Sequence, residues 1–132
     1  MDARKSSTLK VLLVEDDDLA RKVADYNLRE LNCEVESVNN GMAALGSLKK
    51  PFDLILLDIG LPDIEGLVLA EHIRKKSGEN KSTPLVALTA HVMESDRESC
   101  LNAGMDDYLQ KPAAKKDLQR IIKQYCNQLQ EV

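Results

Sequence analysis

Five short apolar runs, each followed by a longer stretch of helical spacing, constrain the fold of this chain more than any other feature. The runs are Lys10-Val11-Leu12-Leu13-Val14, Glu34-Val35-Glu36-Ser37-Val38, Asp53-Leu54-Ile55-Leu56-Leu57-Asp58, Pro84-Leu85-Val86-Ala87-Leu88 and Asp107-Tyr108-Leu109-Gln110. After the first, Leu19, Ala20, Val23, Ala24, Leu28 and Leu31 recur at helical intervals. After the second come Met42, Leu45 and Leu48, stopped by Pro51, and after the third Ile64, Leu67, Ala70 and Ile73. A fourth helix is expected from about Val92 to Ala103, with a thin apolar face and Gly104 as its C-terminal cap. The last helix is the clearest, with Leu118, Ile121, Ile122, Tyr125, Cys126 and Leu129 on one stripe. The polar stretch from Lys75 to Thr83, which contains Gly78, reads as an exposed loop.

Five β–α units in 132 residues imply an open parallel sheet wrapped by helices on both faces. The third run is apolar on both faces, as a central strand requires, and the second alternates, as an edge strand does. Right-handed crossovers then favour a flavodoxin-like, doubly wound (βα)5 sandwich of strand order 2-1-3-4-5. Residues 1–9 are expected to be a flexible leader and 10–130 one domain. The composition, 43% hydrophobic and 30% charged, suits one compact domain that needs no staples. No apolar run approaches the roughly 18–20 residues of a membrane span, and the N-terminus has no signal-peptide core. A net charge of −4, no Trp, one Phe and three Tyr argue against nucleic-acid contact. Cys33, Cys100 and Cys126 match no zinc spacing and read as reduced thiols in a cytoplasmic protein.

In an open α/β sheet the functional site lies beyond the carboxyl ends of the strands. Here the first strand ends on Glu15-Asp16, the third on Asp58, the fourth on Thr89 and the fifth on Lys111. Three carboxylates crowded together repel unless one takes a proton or a cation neutralises them. Oxygen-only ligation points to a hard divalent ion, with Mg2+ expected. Such an ion suits a phosphate-bearing substrate, and no Ser or Cys nucleophile with a partnered base is evident. Asp58, projecting from the central strand, is then the group that attacks phosphorus to give an aspartyl phosphate. Lys111 supplies a positive charge to a phosphoryl oxygen, and Thr89 a hydroxyl hydrogen bond.

The segments Val11-Leu12-Leu13-Val14-Glu15-Asp16, Leu56-Leu57-Asp58-Ile59-Gly60-Leu61-Pro62, Ala87-Leu88-Thr89-Ala90 and Tyr108-Leu109-Gln110-Lys111-Pro112 together resemble the receiver domain of two-component response regulators. The resemblance runs from Lys10 to about Leu129. It implies that Asp58 is the phosphoacceptor and that Asp16, Asp58 and the Gly60 carbonyl are direct Mg2+ ligands. Glu15 stands where many receivers have Asp, and it would reach the metal either directly or through a water. Thr89 and Lys111 match the switch hydroxyl and the phosphate-binding lysine. Tyr108 matches the aromatic switch residue, and the Lys111–Pro112 bond is expected to be cis. The signal is expected to emerge on the face formed by helix 4, strand 5 and helix 5.

Ala87-Leu88-Thr89-Ala90-His91 and Ala103-Gly104-Met105-Asp106-Asp107-Tyr108-Leu109 are most similar to receivers of hybrid sensor histidine kinases. The implied partners are a histidine kinase core or a histidine phosphotransfer domain, with no membrane contact from this domain and a monomer favoured. The parent kinase, if there is one, could be membrane-anchored. The domain's own catalysis is limited to phosphorylation and dephosphorylation of its aspartate, whereas a parent chain could be a kinase. A stand-alone single-domain regulator is the alternative. A haloacid-dehalogenase-like phosphatase is a remote one, because that chemistry needs an acid two residues after the nucleophile, where this chain has Gly60. Asp17 and Asp18 read as helix-capping residues, and His91 as a residue at the site rim.

Overall fold

The computed structural model describes residues 8–76, 78–90 and 94–126. Five strands, β1 (Leu9–Val14), β2 (Cys33–Val38), β3 (Leu54–Asp58), β4 (Leu85–Thr89) and β5 (Asp107–Gln110), form one parallel sheet in the order β2-β1-β3-β4-β5. The helices are α1 (Asp18–Glu30), α2 (Gly41–Ser47), α3 (Gly66–Lys76), α4 (Glu94–Asn102) and α5 (Lys115–Tyr125). The strand order is the one expected from the apolar patterns. All five residues of β3 and of β4 are buried, while β2 is half-exposed along most of its length.

The period-two alternation of the strands divides the core into two layers. Val11, Leu13, Leu54, Leu56 and Val86 face α1 and α5, meeting Ala24, Leu28, Leu118 and Ile121. Leu12, Val14, Ile55, Leu57 and Leu85 face the other way and meet Ala44, Leu69, Ala70 and Ile73 of α2 and α3. Burying a leucine or isoleucine side chain is worth about 2 kcal/mol, so these layers dominate the stability of the fold. Leu9, assigned to the leader from sequence, is the first residue of β1 and is buried opposite Cys33.

Three local features depart from, or add to, the sequence reading. The polar stretch after α3 is not wholly an exposed loop. Gly78–Asn80 forms a single 3₁₀ turn, and both Asn80 and Thr83 are buried. Asn80 donates both amide protons, to Leu48 O (3.1 Å) and Lys50 O (2.7 Å), and its Oδ1 accepts from Phe52 N (2.9 Å). The Thr83 hydroxyl lies 3.1 Å from the same Oδ1.

The end of α4 is the second feature. Gly104, at φ +99°, turns the chain out of the helix, with Gly104 N bonded to Leu101 O and Met105 N to Cys100 O, a paired C-terminal closure. Arg74 of α3 bolts this turn down, donating to Gly104 O (2.7 Å), Lys81 O (3.0 Å), Thr83 O (2.8 Å) and Asp106 Oδ2 (2.9 Å). The third feature is the thinness of α4: among its described side chains only Cys100 is buried. The expected start of that helix at Val92, and Leu129 of the last stripe, lie outside the described residues, as does His91.

Candidate functional site

The sheet register brings the strand ends together. Val14 pairs with Leu57, Asp58 with Leu88 and Thr89 with Gln110, so Glu15, Asp58, Thr89 and Lys111 emerge at one edge. Backbone bonds extend this edge past the strands: Glu15 N donates to Val38 O (3.0 Å) and Lys111 N to Thr89 O (2.8 Å). Asp17 caps α1, its side chain accepting from Ala20 N (2.8 Å), which turns the acidic run sharply away from β1. Asp18 sits in the first turn, paired with Arg21 (2.7 Å).

Glu15 and Asp58 are almost fully buried, at 0% and 1% exposure, while Asp16 lies at the surface. One carboxylate oxygen from each of the three falls within a cluster no wider than 4.8 Å. Lys111 Nζ sits 3.3 Å from Glu15 Oε2 and 3.4 Å from Asp58 Oδ1. Asp17 N donates to Glu15 Oε2 (3.0 Å) and Gly60 N to Asp58 Oδ1 (2.9 Å). With both acids ionised, Glu15 Oε1 and Asp58 Oδ2 are buried without any donor.

The protonation of the cluster follows from this crowding. Burial pushes the Glu15 carboxyl up to about 7, and the neighbouring Asp58 charge adds to the rise. A hydrogen bond to Asp58 raises the Asp16 carboxyl. Burial acts on Asp58 in the same upward sense, but Asp16, the Gly60 amide, Glu15 and the Lys111 charge outweigh it and hold Asp58 below the ordinary carboxylate range. For Lys111, burial alone would lower the ammonium pKa; the charges of Asp58 and Glu15 reverse that and raise it. A single lysine cannot balance three carboxylates. The two orphaned oxygens need either a shared proton or a cation, and an all-oxygen donor set suits a hard divalent ion.

The loop after β3 is held against the strand by a glycine. A Cβ on Gly66 would lie 2.4 Å from Ile59 Cα and 2.6 Å from Asp58 O, so the helix can approach the strand end only without a side chain there. Thr89 is buried at the end of β4. Tyr108 is half-buried in β5 and packs on the core layer that also holds α3 and Met105. The Lys111–Pro112 bond is cis, as the resemblance implied. Sequence reasoning missed Asp63, in the loop between Gly60 and Gly66. The only local signal was an acid directly after Pro62, facing a helix that begins Asn40-Gly41.

Comparison with known proteins gives one consistent result. The family description "response regulator receiver domain" matches residues 11–123. The chain is 44% identical over 118 residues to the aerobic respiration control sensor protein ArcB of Escherichia coli K12, a match covering 89% of this chain and 15% of that protein. It is 37% identical over 116 residues to the sensor histidine kinase GacS of Pseudomonas protegens, covering 86% and 13%. The chain thus spans only a small part of these relatives. Among solved structures, the receiver domain of sensor histidine kinase PA1611 from Pseudomonas aeruginosa superimposes with a TM-score of 0.83 at 37% identity, over 91% of this chain and 98% of that one. That structure holds a magnesium ion coordinated in its active-site cleft. Fold, strand-end chemistry and sequence agree: this chain belongs to the response regulator receiver domain family of two-component signalling.

Proposed function

We propose that Asp58 accepts a phosphoryl group from a phosphohistidine and that this chain acts as a phosphorelay switch. One observation carries the reading. Asp58 Oδ2 is a buried carboxylate oxygen with no donor, placed among Glu15, Asp16 and Lys111 on a receiver scaffold. In the transfer, Asp58 Oδ2 forms a bond to phosphorus as the phosphorus–nitrogen bond of the donor imidazole breaks. The imidazole keeps the electron pair and takes a proton from solvent.

Glu15, Asp16, Asp58 and the Gly60 carbonyl are the groups that would hold Mg2+, as the magnesium in the PA1611 receiver supports. The ion supplies positive charge that offsets the carboxylates and the incoming phosphoryl oxygens. Lys111 moves from its two carboxylate contacts to a phosphoryl oxygen. Thr89, at the end of the adjacent strand, hydrogen-bonds another, and Tyr108 responds beyond it. The face of α4, β5 and α5 then changes, because among the described side chains of α4 only Cys100 is buried and little packing has to be disrupted.

The donor is a histidine kinase core or a histidine phosphotransfer domain. Leu19 and Tyr26, 72% and 65% exposed, lie two turns apart on one side of α1 beside the acidic run and offer it an apolar contact. The kinase relatives support a hybrid sensor kinase as the parent protein. Three buried free cysteines suit the reducing cytoplasm. No helix among the described residues is long and apolar enough to cross a membrane. Incubation with acetyl phosphate and Mg2+ should add the mass of one phosphoryl group, and chelation of the metal should prevent it. Equal labelling without a divalent ion would overturn the reading.

A further inference from the structure

We propose that Asp63 is a positioning residue for the metal-binding loop, tethering the Gly60 segment to the first turn of α2. The inference rests on the reading of Asp58 and Gly60 as metal ligands. The segment between β3 and α3 is held inward at several points, among them Ile59 N to Leu88 O (3.2 Å) and Gly60 N to Asp58 Oδ1 (2.9 Å). Leu61 is buried in the core, and Gly66 N donates to Ile59 O at 3.3 Å. Its middle is exposed at Gly60, Pro62, Asp63 and Glu65. Toward α2 the segment is held by Ile64, whose side chain lies against Gly41, and by Asp63. Asp63 Oδ1 accepts from Gly41 N (2.8 Å) and Ile64 N (2.9 Å), and its Oδ2 accepts from Met42 N (2.9 Å).

These bonds complete the start of α2. A helix leaves its first four N–H groups without internal partners. Here Gly41 N and Met42 N go to Asp63 and Ala43 N to Asn40 Oδ1 (2.8 Å), and the helical ladder begins with Ala44 N to Asn40 O (3.2 Å). The three N–H groups that follow Asn40 are thus all partnered. The helix is itself a fixed post, since Ala44 and Leu48 are buried against β1 and β3. The backbone N–H groups of Gly41 and Met42 hold the Asp63 carboxyl below its ordinary range, so it stays ionised at neutral pH. A carboxylate bound this way limits the orientations of the loop, and the Gly60 carbonyl lies three residues away. The contact also makes α2 sensitive to the site: an ion that fixes Gly60 must tighten the Asp63 bonds at Gly41 and Met42, because linkage is reciprocal.

The test is Mg2+ titration of the full chain by calorimetry, with backbone amide resonances followed in parallel. The wild-type chain should bind, and the amides of Gly41 and Met42 should shift with the metal. Outer contacts of a metal site typically change affinity by 10–100-fold, and for this exposed tether Asp63→Ala should weaken binding about tenfold. The Gly41 and Met42 response should then vanish. Asp63→Asn keeps the Oδ1 acceptor but loses the one for Met42 N, and it should fall between the two. That variant carries the test should the alanine chain not fold. Equal affinity in the wild type and in both variants overturns the proposal. So does weaker binding with no metal-linked shift at Gly41 and Met42 in the wild type, which is what general loosening of the loop would give. Failure of the wild-type chain to bind Mg2+ is a different result: it removes the metal-site reading itself, and this inference with it.

Discussion

Buried polar groups gather at both ends of the sheet, and the two clusters are built by opposite rules. Before β3 and β4, Asn80 uses both of its amide protons and its carbonyl oxygen, so that the turn after α3 locks onto the segment after α2. At the opposite, carboxyl ends of β1 and β3, Glu15 and Asp58 are as deeply buried, yet each keeps one oxygen with no donor. A satisfied buried cluster contributes to stability and specifies one local structure. An unsatisfied one costs stability until something binds. The sheet thus separates the part of the molecule that holds it together from the part that reacts.

The largest effect should come from the reactive end. Asp58→Asn should abolish the phosphoryl mass gain entirely while changing metal-free stability little, because the lost contacts to the Gly60 amide and Lys111 are offset by relief of the crowding at Glu15. A large loss of stability in that variant would mean that Asp58 serves the fold. At the other end the expectation is reversed. Asn80→Ala strands Phe52 N, Leu48 O and Lys50 O, and it should cost about 2–4 kcal/mol in chemical denaturation. Under folding conditions it should leave phosphorylation of Asp58 intact; a variant that is stable but unreactive would break the separation.

A third experiment separates the clusters by pH. The Glu15 carboxyl is raised on folding from 4.5 to about 7, so the folded chain binds this proton more tightly than the unfolded one. The Glu15 contribution to metal-free stability should therefore be complete below pH 4.5 and decline, by about 3 kcal/mol, as pH rises through 7. Asp58 is shifted the opposite way, and its contribution is lost only below its ordinary carboxylate range. Saturating Mg2+ should flatten the decline by replacing the proton, and Glu15→Gln should remove it. Asn80 does not titrate, so Asn80→Ala should shift the whole curve downward without changing its slope.

The smallest effect is local. With beryllofluoride as phosphoryl mimic, hydrogen exchange should change across residues 94–108 in the wild type, and Thr89→Ala should reduce that change while Asp58 still labels. Changes confined to β2 and α2, with none across 94–108, would refute this output face.

The sequence made the reactive end legible because each of its residues terminates an apolar run. Asp58 after four aliphatic residues, Thr89 at the end of β4 and Lys111 after β5 are visible as polar punctuation of a hydrophobic pattern. Strand order was legible for the same reason, from the contrast between β3 and β2. The structural end was not. Asn80 lies in Gly78-Glu79-Asn80-Lys81-Ser82, a stretch that looks like any solvated turn, and its partners are backbone groups that leave no trace in residue identity. Arg74 was hidden similarly, in a run with Lys75 and Lys76 that reads as a charged helix end. Periodicity reports what a side chain avoids, namely water, and says little about which carbonyl a polar side chain will find.

The Arg74 bolt has a mechanical consequence. It fastens the turn at Gly104, so the far end of α4 is anchored to α3 through one guanidinium. A rod held at one end answers a push at the other by tilting rather than by sliding. Nine residues make a lever of about 13 Å, on which a displacement of about 1 Å near β4 becomes a rotation of about 4°. A docked protein would then sense an angle, spread over the whole length of the helix, and the bond count at Arg74 would set how stiff that lever is.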